Sequence, residues 1–142
     1  MRGYLLDVNV LVALAWPNHT QHVVAHNWFA KNRSDGWGTC MVTQLGFVRV
    51  SSHPAVKYCV STQGALQKLT EIVDQAGHSF WAEPTDGYAN KVFLQTLPNT
   101  LTHAQVTDSY LATVAIFNQG ILATLDRDLS RTYDKYSVLV AP

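Results

Sequence analysis

Tyr4-Leu5-Leu6-Asp7-Val8-Asn9-Val10-Leu11 begins as an unbroken apolar run and is then interrupted by Asp7 and Asn9. A short, continuous apolar stretch that ends in a carboxylate is the pattern of a strand buried on both faces, as in a parallel sheet. Residues 3–8 are therefore expected to form the first strand. Asn9 is expected to cap a short helix through Leu14, which Pro17 stops. On that reading Asp7 stands at the strand tip with its carboxylate free. The arrangement returns twice. Asp126 ends Gly120-Ile121-Leu122-Ala123-Thr124-Leu125, and Asp108 lies at the head of the apolar helix opened by Thr107-Asp108-Ser109-Tyr110-Leu111-Ala112.

The rest of the chain alternates in the same manner. A helix capped by Thr20 is expected to run to about Lys31, and residues 37–42 read as a second strand. A helix over residues 43–50 follows, with Leu45, Val48 and Arg49 at helical spacings. Ser61 or Thr62 opens a long amphipathic helix whose Leu66, Leu69, Ile72, Val73 and Ala76 recur at steps of three and four until Gly77. Residues 78–82 read as a third strand and residues 86–97 as a helix, followed by the loop 98–100. Residues 104–119 form the clearest helix, with Val106, Tyr110, Leu111, Val114 and Phe117 facing inward. Residues 121–125 and 137–140 finish as strands. This order of strands and helices predicts one α/β domain over residues 1–142, an α/β/α sandwich around a mainly parallel sheet.

In an open α/β sheet the carboxyl ends of the strands and the adjoining helix termini converge on one crevice. Each aspartate has an ordinary explanation: a helix N-terminal residue for Asp7, a first-turn acid favoured by the helix dipole for Asp108, a turn pair for Asp126 with Asp128. All three together point to a shared site. Carboxylates gathered in one crevice repel one another unless a hard divalent cation neutralises them, and Mg²⁺ or Mn²⁺ prefers oxygen ligands. Phosphoryl transfer or hydrolysis is the chemistry such a site serves.

Composition limits the alternatives. The 142 residues are 47% hydrophobic and 14% charged, which fits a globular domain and argues against disorder. Ten acidic and ten basic residues cancel, so any nucleic-acid contact must be local or helped by a bound cation. Cys40 and Cys59 make no zinc or disulfide spacing, and a reducing cytoplasm is the expected setting. Asp7 and Asn9 interrupt the first apolar run, which argues against a signal peptide, and residues 10–16 are too few to span a bilayer.

The ordered set of motifs also carries a family resemblance. Leu5-Leu6-Asp7-Val8-Asn9-Val10-Leu11, then His22 with Ala25 and Trp28-Phe29, then Thr43-Gln44-Leu45-Gly46-Phe47-Val48-Arg49-Val50 follow in turn. Val106-Thr107-Asp108-Ser109-Tyr110-Leu111-Ala112 and Leu122-Ala123-Thr124-Leu125-Asp126-Arg127-Asp128-Leu129 complete the series. Together they resemble PIN-domain ribonucleases, specifically the VapC-type toxins of bacterial toxin–antitoxin pairs, over nearly the whole chain. The resemblance implies a PIN-like sandwich and a Mg²⁺- or Mn²⁺-dependent endoribonuclease that inhibits translation by cutting tRNA or ribosomal RNA. It implies Asp7, Asp108 and Asp126 as catalytic residues and metal ligands, with Asn9 and Thr124 orienting them. It also implies a cognate VapB-type antitoxin and a homodimer. Where the family usually has an acid this chain has Gln44, which removes one negative charge and predicts weaker metal binding.

Other residues stay open. Asp128 either joins the site or faces solvent. Arg49, and less directly Arg127, either contact phosphate or are solvated cations. His19, His22 and His26 have a spacing that can ligate zinc, although His22 also matches a structural position near Trp28. Trp16, Trp28, Trp37 and Phe29 are candidates for partner contacts or for the core. Two rival functions remain: a catalytically weak PIN-like module that binds RNA or protein, and a small metal-dependent phosphatase or 5′-nuclease.

Overall fold

The computed structural model describes residues 2–87, 90–96 and 101–142. Among the described residues, five strands form one all-parallel sheet: β1 (Tyr4–Leu6), β2 (Trp37–Thr39), β3 (His78–Phe80), β4 (Ile121–Thr124) and β5 (Ser137–Leu139). Their order is β3-β2-β1-β4-β5. The chain thus winds outward from β1 to β3, returns past it to β4 and continues to β5. The direction of winding reverses between β1 and β4, which makes their carboxyl ends the switch point of the sheet.

The helices are α1 (Val8–Ala15), α2 (His22–Asn32), α3 (Met41–Ser51), α4 (Thr62–Val73), α5 (Lys91–Thr96), α6 (Val106–Phe117) and α7 (Arg127–Thr132). Side chains alternate across a strand, so Leu6 and Leu5 serve opposite layers. Leu6 and Ala123 pack with Val10, Leu11, Phe29, Phe47, Leu69 and Ile72 from α1–α4. Leu5 and Leu122 pack with Leu111, Val114 and Leu129 from α6 and α7. Burying each of these leucines contributes about 2 kcal/mol. The result is the α/β/α sandwich expected from the alternation, consistent with the PIN-like fold that the resemblance implies.

Several element boundaries differ from the sequence reading. β1 is only three residues long, and α1 starts at Val8 rather than after an Asn9 cap. β2 stops at Thr39, where Cys40 becomes the N-cap of α3, because the Thr43 hydroxyl bonds the Cys40 N–H at 3.0 Å and starts the helix early. Gln21, not Thr20, precedes α2. Ser61 caps α4 as expected, its hydroxyl accepting the Gly64 N–H at 3.0 Å. α5 starts at Lys91, and the expected helix end at Leu97 and the loop 98–100 lie outside the described residues. Val106 and Phe117 are 39% and 41% exposed rather than inward, since they occupy the two ends of α6, beyond the reach of the sheet. Leu66 on α4 and Leu45 on α3 are also exposed.

Trp81 is fully buried between two glycines that the periodicity does not mark. A Cβ on Gly38 would lie 2.0 Å from the indole nitrogen, and one on Gly120 would lie 2.2 Å from the far edge of the ring. The ring bonds Ser79 Oγ at 3.1 Å and carries the Arg2 guanidinium 5.3 Å from its centroid.

Candidate active site

The switch point gathers its carboxylates because chain direction changes there. Asp7 leaves β1 with extended backbone (φ −63°, ψ 157°) and is itself the N-cap of α1, which corrects the expectation that Asn9 plays that part. Asp7 Oδ1 accepts the Val8 N–H at 2.7 Å, and Oδ2 accepts the Thr124 hydroxyl at 2.7 Å. Only 6% of the residue is exposed. Asn9, the second residue of α1, donates to Thr124 Oγ1 at 3.3 Å and accepts the Leu125 N–H at 3.1 Å. Asn9 and Thr124 therefore tie α1 to the end of β4 and fix the Asp7 carboxylate between them.

Asp126 follows β4 as the N-cap of α7, its Oδ1 accepting the N–H groups of Asp128 and Leu129 at 2.9 and 3.0 Å. Asp108 enters from the first turn of α6. That turn is held by the neighbouring Ser109, whose hydroxyl oxygen accepts the Tyr133 O–H at 2.6 Å. Asp7, Asn9, Asp108 and Asp126 line one cleft of about 280 Å³. Burial, and then the charges of Asp108 and Asp126, push the Asp7 carboxyl up to about 6, against the opposing effect of its Thr124 and Val8 hydrogen bonds. Asp108 is also raised, first by burial and then by Asp126. Burial is the larger cause at both groups, and the nearness of like charges adds to it.

Other candidates lie elsewhere. Asp128 is exposed in the first turn of α7 and borders an adjoining cavity of about 170 Å³ with Asp108 and Asp126. It also pairs with Arg131 at 3.7 Å, a contact of little energetic weight at this exposure. Arg49 and Arg127 are exposed and do not line the cleft. Gln44 does not line it either. Its Nε2 donates to Thr39 Oγ1 at 3.0 Å, and that oxygen is 2.8 Å from His78 Nε2.

This small chain yields a test of where the Gln44 amide sits. With Gln44 donating, the Thr39 hydroxyl can donate to His78, whose imidazole burial already keeps below its ordinary pKa. Gln44→Glu would claim the Thr39 proton and oblige His78 to donate. NMR titration is expected to show His78 titrating at higher pH in the variant. An unchanged His78 curve would place Gln44 elsewhere.

The three histidines do not form a metal set. His22 Nδ1 bonds the Ala13 carbonyl at 2.7 Å, His26 lies beside it with ring centroids 5.8 Å apart, and His19 faces Tyr58 instead. Trp37 and Phe29 are core, 5.0 Å apart edge to face. Trp16 stacks on Phe47 and bonds Ser51 Oγ at 2.9 Å, and Trp28 packs on Tyr4. The sequence reading missed His19 in its actual place and Tyr58 altogether, both lining the acidic cleft. Neither carries a periodic signal, because both sit in loops.

The donor set fits a hard divalent cation. Carboxylate oxygens dominate, an amide oxygen adjoins them, and among the described residues no lysine or arginine lines the cleft. Among the described residues no three His, Cys, Asp or Glu side chains are grouped so as to hold a metal ion.

An acid-lined cleft at the switch point of a PIN-like sandwich defines the class of protein. No family model matches the chain. Among curated proteins of Mycobacterium tuberculosis, the chain is 37% identical to Ribonuclease VapC39 over 127 residues, covering 89% of this chain and 90% of that protein. It is 38% identical to Ribonuclease VapC38 over 123 residues, covering 86% and 84%, and 35% identical to Ribonuclease VapC44 over 130 residues, covering 90% and 89%. At this identity and coverage the chain belongs to the VapC ribonuclease family. Among the described residues no helix is long and apolar enough to cross a membrane.

Proposed function

We propose that this chain is a divalent-metal-dependent endoribonuclease, the toxin of a toxin–antitoxin pair, acting as one domain on tRNA or ribosomal RNA. The observation that carries the reading is the meeting of Asp7, Asp108 and Asp126 in one cleft at the switch point. The ribonuclease names of relatives that match almost end to end support it.

Asp7, Asp108 and Asp126 would hold Mg²⁺ or Mn²⁺, which when bound offsets their mutual repulsion, draws in the scissile phosphate and lowers the pKa of the attacking water. The protein's own part is orientation. Thr124 and Val8 fix both oxygens of Asp7, Asn9 locks α1 to β4, and the Asp128 and Leu129 N–H groups aim Asp126. Positioning of this kind keeps carboxylates on a cation without reorganisation during the reaction. Gln44, in place of the usual acid, bonds Thr39 outside the cleft, so the acidity there comes from Asp7, Asp108 and Asp126. A VapB-type antitoxin and a second copy of the chain are the proposed partners, on family membership.

Purified protein incubated with total bacterial RNA and Mn²⁺ is expected to give discrete fragments, and excess chelator should abolish them. Fragments that persist in chelator would contradict metal dependence. Release of inorganic phosphate or mononucleotides from chain ends would favour the phosphatase or 5′-nuclease reading.

A further inference from the structure

The cleft has an aromatic wall beside its acidic one. His19, between α1 and α2, and Tyr58, between α3 and α4, both line it, with ring centroids 5.4 Å apart and planes tilted by 41°. Val12 and Val50 line the same cleft and complete an apolar side opposite the carboxylates in character. Both rings are half-buried, unlike the core aromatic Trp37 at 2% exposure. His19 is held in place, since its Nδ1 accepts the Gln21 N–H at 3.0 Å. Burial, and then His22, keep its imidazole below the ordinary histidine pKa. The Tyr58 hydroxyl makes no hydrogen bond among the described residues.

A phosphodiester substrate brings anionic groups to the carboxylate side, where the cation would receive them. The uncharged, flat part of the same substrate is a nucleobase, and stacking on an aromatic face is how proteins hold unpaired bases. We propose that Tyr58, buttressed by His19, stacks a base of single-stranded RNA adjacent to the phosphodiester held at Asp7, Asp108 and Asp126. The proposal rests on the nuclease reading above and adds how the strand is gripped. A base paired within a duplex cannot reach such a face, so the wall selects loops and unpaired segments.

The test uses short single-stranded RNAs of randomised sequence carrying one fluorescent adenine analogue, mixed with the full chain and Mn²⁺ and read by stopped flow before cleavage. Stacking quenches the analogue. Tyr58→Phe should keep the quenching and the affinity. Tyr58→Ala and Tyr58→Leu should lose the quenching and weaken binding roughly 5- to 100-fold, the range measured for base–aromatic stacking. In steady state the loss should fall on KM far more than on kcat. RNA with an abasic site at the stacked position should bind wild type more weakly yet bind Tyr58→Ala without further loss. Equal affinity and quenching in wild type and Tyr58→Ala would overturn the stacking proposal alone. Loss in Tyr58→Phe as great as in Tyr58→Ala would also overturn it, assigning the effect to the hydroxyl. A Tyr58→Ala variant that binds RNA normally but no longer binds its antitoxin would assign the wall to the protein partner. Failure of wild type to bind or cut any RNA would overturn both readings.

Discussion

Asp108→Asn is expected to abolish growth arrest on induced expression and to lower RNA cleavage by roughly 100-fold or more, at least the loss that follows from disturbing the groups that support a metal's ligands. Asp108 reaches the cleft from the first turn of α6, half-buried. Its carboxylate accepts no hydrogen bond among the described residues, so its structural duties are light. The asparagine keeps the shape and loses the charge. The helix should survive, because Ser109 and Tyr133 hold that turn independently. Equal expression with the arrest lost is the predicted outcome in bacterial culture. Undiminished arrest by the variant would point to binding or aggregation as the cause of toxicity.

Asp7→Asn should do the opposite to stability. The Asp7 carboxyl is raised from 3.8 to about 6 in the folded protein. A raised folded-state pKa means that folding favours the protonated form. The stabilisation it gives is complete below about pH 4 and is lost as pH rises through about 6. At pH 8 without divalent metal the ionised group costs about 3 kcal/mol by the usual conversion of two pH units. An asparagine removes that cost but gives up one of the two carboxylate hydrogen bonds, worth about 1 kcal/mol. The metal-free variant should therefore melt about 5 °C higher than wild type at pH 8. The advantage should vanish at pH 4. Thermal denaturation across this range in chelator checks it, and parallel pH profiles for the two proteins would contradict it. A group whose ionisation destabilises the fold and which lines the cleft is a cost that a bound cation would offset.

The fold was legible because apolar runs and carboxylates alternate in register with the strands. Leu5-Leu6, Ile121-Leu122-Ala123 and the apolar face of α6 mark buried elements, and the aspartates at their ends locate the crevice without any knowledge of long-range contacts. The capping role of Asp7 was less visible. A three-residue strand passing directly into a helix leaves one residue for the turn, and Asn9, the better cap by propensity, is drawn instead to Thr124 and Leu125 across the sheet. Helix α7 follows Asp126 in six residues, too few to show a period. Val106 and Phe117 match the inward spacing of α6, yet periodicity does not say where the opposite layer ends. Tyr58 and His19 meet only because two loops, far apart in sequence, fold over the same strand ends. Gln44 shows its departure from the family in the sequence, while its bond to Thr39 depends on where β2 stops.

The central claim is that Asp7, Asp108 and Asp126 share one divalent cation. The melting temperature measured against Mn²⁺ concentration at pH 8 tests it most directly. Wild type should rise steadily with Mn²⁺ as the ion binds the native state, and Asp108→Asn and Asp126→Asn should each rise far less. Equal rises in wild type and both variants would contradict the shared site.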